Sequence, residues 1–320
     1  MGARESGMMR YLASRLAGMV VVMLIVATLV FFITRLAPGD PAALMLGEQA
    51  SAADIANLRA SYGLDKPLPV QFAYWLKELA HGNLGQSIFL QRPVTQALAE
   101  RTEPTFFLTL FSLAIAMLIG VPCGIAAAVW RGRMVDQGFS GFAMLGASIP
   151  SFWLGLVLME IFAVGLGWFP VAGYGEPGVP LHERLRHLVL PAIVLGVVNS
   201  ALILRFTRAS MLDVLSEDHI RTARAKGVSE ARVVLRHALR NALIPVVTVI
   251  GLTFALLIGG AIVTETVFGL PGVGNLVVSA VLRRDYPVIQ GALLVIAGLY
   301  VLINLAIDLL YLVIDPRVKY

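Results

Sequence analysis

The chain has 320 residues, 58% of them apolar and only 14% charged, with a mean hydropathy of +0.81 and a net charge of +5. Apolar usage this far above the roughly 45–50% of soluble domains excludes a water-soluble globular protein and places the chain in a membrane. The positive balance follows from where the basic residues flank the apolar runs and does not point to nucleic acid, and the single cysteine, Cys123, excludes a disulfide framework or a thiolate metal site.

Charge-poor runs at 16–34, 105–130, 137–159, 188–204, 243–264 and 288–307 each come near the ~17–25 residues a helix needs to cross hydrocarbon. An all-α, polytopic protein with six transmembrane helices is therefore expected. Residues 1–35 form an N-terminal tail and a first span whose apolar run exceeds the ~7–15 residues of a cleavable signal, so it stays as an anchor.

Residues 36–103 predict a small helical segment outside the membrane. Ser51 three residues before Asp54 is a capping-box pattern, opening a short helix that stops at Gly63. Pro69 then suits a first helical turn, with Phe72, Trp75, Leu76 and Leu79 on one face and Gly82 as the stop. That face packs on the protein's own outer surface or meets an external partner. Residues 104–320 hold the other five spans as a core transmembrane domain, in which Gly120 and Gly124 make a GxxxG suited to close helix packing.

Basic residues gather at Arg4, Arg10 and Arg15, at Arg131 and Arg133, across 205–243, and at Arg317 and Lys319. The opposite short loops hold Arg184, Arg186, Arg283 and Arg284. By the positive-inside rule both termini and the 205–243 segment are cytoplasmic.

Within that segment, residues 210–243 pattern as two helices joined by a glycine elbow. The run Asp213–Lys226 lacks Gly and Pro, Gly227 suits a left-handed C′ position, and Ser229 is placed to cap a helix from Glu230 to about Ile244. Apolar residues at helical spacing between the charges give the protrusion a face that wants a partner, a stronger reading than a solvated loop on lipid head groups.

Here the chain resembles a family. The elbow is similar to the EAA loop of the membrane subunits of ATP-binding-cassette importers: Arg221, Thr222 and Ala223 occupy the EAA positions, Gly227 the glycine, and His237, Leu239 and Arg240 the positions of the later I-x-L-P. Only Ala223, Gly227 and Leu239 match the general pattern. The departures, with APGDP at 37–41, GLDKPLPVQF at 63–72, GNLGQS at 82–87, TETVFGLPGVG at 264–274, RRDYPVIQG at 283–291 and DLLYLVIDPR at 308–317, resemble the first permease subunit of dipeptide, oligopeptide, glutathione and nickel importers.

The resemblance implies the type I importer fold in a bacterial inner membrane. It also implies a second, homologous permease subunit, two cytoplasmic ATPase subunits that bind ATP and Mg, and an extracytoplasmic substrate-binding protein. By position it implies that Asp213, Glu217, Asp218, Arg221, Thr222, Ala223, Lys226, Gly227, His237 and Arg240 form an ATPase-coupling loop. No cofactor is expected on this chain.

Rival classes fail on spacing. No lysine stands in GxxxxGK[ST], so ATP must bind elsewhere. His182 and His187 are five apart where HExxH needs four, and Gly138-Phe139-Ser140-Gly141 misses GxSxG, which removes the obvious hydrolase motifs. An ion-coupled transporter usually carries ionisable groups near the bilayer centre, and Glu160, Glu265 and Asp308 lie off-centre. Asn199, Glu265, Asn304 and Asp308 are candidates for a translocation path or gate, with Glu265 equally suited to ordering the TETVFGLPGVG loop.

Overall fold

The computed structural model describes residues 2–36, 51–61, 63–175 and 178–314. The APGDP stretch and the basic residues Arg317 and Lys319 lie outside them. The helices are α1 (Gly2–Leu36), α2 (Ala52–Ser61), α3 (Leu68–Ala80), α4 (Val94–Val129), α5 (Met134–Ser148), α6 (Ser151–Gly165), α7 (Leu181–Arg186), α8 (Val189–Leu215), α9 (Asp218–Ala225), α10 (Glu230–Val267), α11 (Val273–Leu282) and α12 (Tyr286–Ile314). Among the described residues the only β pairing is an isolated bridge between Gln86 and Pro93, as expected where hydrocarbon offers backbone groups no partner.

Among the described residues five helices, α1, α4, α8, α10 and α12, carry apolar stretches long enough to cross a bilayer. The span expected at 137–159 is broken into the pair α5 and α6, bent by 98° at Ile149–Pro150, and counted as one it makes the sixth. A residue before proline is pushed out of the helical region, and Ile149 sits at φ −80°, ψ 123°. The boundaries also shift. Helix α4 starts at Val94 and not near 105, and α10 continues from the elbow through the fifth span, with a π-helical stretch at Val233–Ala238 and Pro245 inside it.

By its internal contacts the chain forms two units, Met1–Thr102 with Leu276–Leu302, and Glu103–Asn275 with Ile303–Lys319. In the first, Ser51 caps α2 as its spacing predicts, its Oγ accepting from the Asp54 N–H at 3.2 Å. The apolar face of α3 closes on α1: the Phe31 ring lies 5.2 Å from Phe72 and 5.5 Å from Trp75, the own-surface alternative for this helix. Buried Asp285 accepts hydrogen bonds from Ser87 Oγ (2.5 Å), Ile88 N (3.2 Å) and Phe89 N (3.1 Å), while Arg283 stacks on Phe89. The GNLGQS and RRDYP motifs are thus two halves of one latch.

In the second unit, α8 is the most enclosed of the spans, with 56% of its apolar window buried. Glycines let α4 lie against it. A Cβ on Gly120 would come within 2.8 Å of Ile203, and one on Gly124 within 2.6 Å of Thr207 and 2.7 Å of the Leu204 carbonyl. Gly196 answers from α8, where a Cβ would meet Ile115 at 2.6 Å. Backbone approach of this kind replaces the hydrophobic drive that lipid cannot supply.

Gly124→Val should therefore cost about 1–3 kcal/mol or more, the range for overpacking, and lower the thermal unfolding midpoint in detergent. Gly18→Ala, at a site with open space around it, should leave the midpoint unchanged. Equal midpoints for the two variants would contradict the close approach.

Candidate functional site

The elbow between α8 and α10 is built in three steps. First, α8 ends at Leu215, which corrects the expectation of one helix from Asp213 to Lys226. Ser216 Oγ donates to the Asp213 carbonyl at 2.7 Å, and Glu217 takes extended backbone as the cap of α9, a short side chain competing with the helix for its own carbonyl. Second, α9 turns Ile220 and Ala223 inward. They pack with Met211 and Val214 of α8, Val233, Val234 and Ala238 of α10, and Ala128 of α4. Full burial of Ile220 stabilises the elbow by about 1.5–3 kcal/mol.

Third, Gly227 reverses the chain at φ +75°. Its Cβ position is open, so the demand there is conformational: L side chains, β-branched ones above all, resist this region. Arg224 closes the elbow, its Nε and Nη2 donating to Glu230 Oε2 and Oε1 at 3.1 and 2.6 Å. Ser229 does stand at the cap of α10, but its side chain makes no capping bond. Its carbonyl accepts from Arg232 N and Val233 N instead.

Of the residues assigned to the coupling loop, Asp213, Glu217, Asp218, Arg221, Thr222, Lys226, Gly227 and Arg240 are exposed, His237 is half-buried and Ala223 is buried. Neither the Arg224–Glu230 clamp nor the polar contacts of His219, which falls at helical spacing with Leu212, Leu215 and Ile220, were expected from sequence. His219 Nδ1 stands 3.0 Å from Glu217 Oε2, and its Nε2 lies 3.3 Å from Asn241 Nδ2, linking the start of α9 to α10. Nor was the bidentate pair of Arg208 with buried Asp136 (2.6 and 2.8 Å), which also accepts from Gly132 N and ties the WRGR turn to α8. Only a charge inside an otherwise apolar helix start hinted at it.

The path candidates stand on three helices. Asn199 of α8 donates to its own Leu195 carbonyl at 2.8 Å, whereas Asn304 is exposed and Asp308 half-buried on α12. Glu265, near the end of α10, is fully buried. Thr105 Oγ1 donates to its Oε1 at 2.5 Å, Asn275 N donates to its Oε2 at 2.9 Å, and its carbonyl accepts from Leu270 N. The glycines of GLPGVG make room for it, since a Cβ on Gly272 would fall 2.2 Å from the Glu265 carboxyl carbon. This geometry serves the loop-ordering alternative. Tyr174, in the loop between α6 and α7, and Arg184 of α7 both donate to Glu103, the former through its hydroxyl. Burial, then the adjacent carboxylate, pushes the Tyr174 phenol up to about 12 and keeps it a donor.

Residues 120–320 match the family described as binding-protein-dependent transport system inner membrane component, and residues 8–109 match the N-terminal family of the same systems. The chain belongs to this family of transport permeases. Similar proteins include the probable peptide ABC transporter permease protein y4tP of Sinorhizobium fredii, 46% identical over 97% of this chain and 99% of its own length. The glutathione transport system permease protein GsiC of Pectobacterium atrosepticum is 49% identical over 98% of this chain and 100% of its own. Among solved structures, an inward-facing MetNI methionine ABC transporter shares the fold, with a TM-score of 0.58 and 21% identity over 69% of this chain and 97% of that one. The permease is a multi-pass inner membrane protein.

Leu270, a fully buried residue of the TETVFGLPGVG loop, reports on Glu265. In a Cys123→Ala, Leu270→Cys permease, maleimide labelling should be slow, and adding Glu265→Ala should speed it by about tenfold or more as the loop loses its internal anchor. Unchanged labelling would remove the ordering role.

Proposed function

We propose that the permease forms half of the translocation path of an ATP-driven peptide importer and takes its stroke through α9 and the Gly227 elbow. The other half is a homologous permease subunit, and ATP and Mg bind on two ATPase subunits at the cytoplasmic side, together with both termini, an orientation that the distribution of basic residues supports. An extracytoplasmic binding protein delivers the cargo. Membrane lipid surrounds the spans.

The observation that carries this reading is the two-faced α9. Its inner face is bolted to the ends of three long helices, and its outer face presents Asp218, Arg221 and Thr222, all three exposed among the described residues. A surface so fixed transmits a push. A flexible loop absorbs one.

A peptide is zwitterionic, and each charge centred in hydrocarbon costs on the order of 2.5–3.5 kcal/mol or more, which an enclosed polar path removes. Asn199, Asn304 and Asp308 are assigned to that path, and Glu265 to the loop that shapes its outer mouth. Glutathione, itself a modified tripeptide, is the second reading, favoured by the GsiC relative. Uptake of a labelled dipeptide and of labelled glutathione by cells expressing the operon, against a deletion strain, separates the two.

Gly227→Val should leave the protein inserted and assembled but uncouple ATP hydrolysis from uptake, with uptake falling about tenfold or more, because a β-branched residue resists φ +75°. Normal uptake at normal expression would refute the lever. The chain purified free of other polypeptides should hydrolyse no ATP.

A further inference from the structure

The first unit holds a constellation unrelated to the elbow or to the Glu265 loop. Where α1 leaves its apolar stretch at Arg35, a cavity of about 460 Å³ opens among α1, α3 and the segments at 83–88 and 286–290. Its wall carries two cations, Arg35 and Lys66, one carboxylate, Glu78, the rings of Trp75 and Tyr286, and the amide of Gln71. The Asp285 latch and a hydrogen bond from Gln290 to Thr34 hold the surrounding segments in place.

The charges are steadied without being spent. Arg35 lies 5.3 Å from the Phe31 ring centre and Lys66 Nζ 4.7 Å from that of Tyr74, contacts that orient a cation and leave its N–H groups available. Glu78 accepts from Asn83 Nδ2 at 2.8 Å through one oxygen. Gln71 Nε2 donates to the carbonyls of Leu64 (3.1 Å) and Lys66 (2.8 Å), which fixes the amide's orientation, and its Oε1 is buried with no protein partner among the described residues. Buried acceptors are seldom left so. The wall thus asks for an anion and, beside it, an N–H donor that tolerates a carboxylate.

We propose that this cavity binds the head group of an aminophospholipid of the phosphatidylethanolamine class, with the phosphodiester at Arg35 and Lys66 and the ammonium at Glu78 and the Gln71 carbonyl. Position favours a lipid. The cavity lies at the end of a span, at the level where Trp and Tyr gather at membrane interfaces. Leu29, Phe32 and Ile33, within two turns of Arg35, are exposed and offer acyl chains an apolar surface. A choline head group has no N–H for Gln71, and a glycerol head group has no charge for Glu78.

The test is native mass spectrometry of the full-length protein, extracted with its bound subunits and offered phosphatidylethanolamine, phosphatidylcholine and phosphatidylglycerol of identical chains. The expected result is one phosphatidylethanolamine held about tenfold more tightly than either other lipid, with Lys66→Gln and Arg35→Gln each weakening it by about tenfold as a charge-assisted bond is lost. Lys66 is exposed, so its variant reports even where Arg35→Gln fails to assemble, and the lipid panel needs no variant at all. Equal retention of the three lipids, or undiminished binding in Lys66→Gln, would overturn the proposal. A dialanine peptide that displaces the lipid and binds in its absence would reassign the cavity to a soluble zwitterion and overturn it as well.

Discussion

A buried apolar cluster under α9 is the constraint on which the rest of this permease depends. Ile220 and Ala223 from the short helix, Met211 and Val214 from α8, and Val233, Val234 and Ala238 from α10 share one core. Because α8 and α10 then run on as membrane spans, a force on α9 reaches the hydrocarbon region through continuous helix. The charged outer face is exposed, and the Arg224–Glu230 clamp closes the elbow across Gly227.

The same economy governs the buried charges. Asp136 meets Arg208, Asp285 takes three donors from the 87–89 turn, and Glu265 takes Thr105 and a backbone amide. Each sits where two separated stretches of chain must be held together, so each is satisfied on both carboxylate oxygens rather than left to face lipid. The resemblance motifs thereby gain a physical reason. GNLGQS and RRDYP are complementary parts of one latch, and the glycines of GLPGVG make room for a carboxylate.

Much of this was legible in the sequence because it rests on local rules. Apolar run length gave the spans, the Ser51–Asp54 spacing gave α2, and the Gly227 position gave the elbow. What escaped was of two kinds. Pairings between residues far apart in the chain, such as Asp136 with Arg208, leave no periodic trace. Local breaks were outvoted by composition: Pro150 bends a stretch that hydropathy alone treats as one span, and Ser216–Glu217 interrupts a run with no Gly or Pro. Ala223 was assigned to the coupling surface by position, yet its side chain belongs to the core beneath it. The resemblance locates the loop, and only packing tells which of its faces is offered.

Cysteine cross-linking along α9 in native membranes tests the central claim most directly. Arg221→Cys and Lys226→Cys, on the exposed face, should link to a second polypeptide identified by mass spectrometry as an ATPase, while Ala223→Cys, turned into the core, should not. If neither exposed position reaches another chain, or Ala223→Cys links as readily as they do, α9 is not the surface through which this permease is driven.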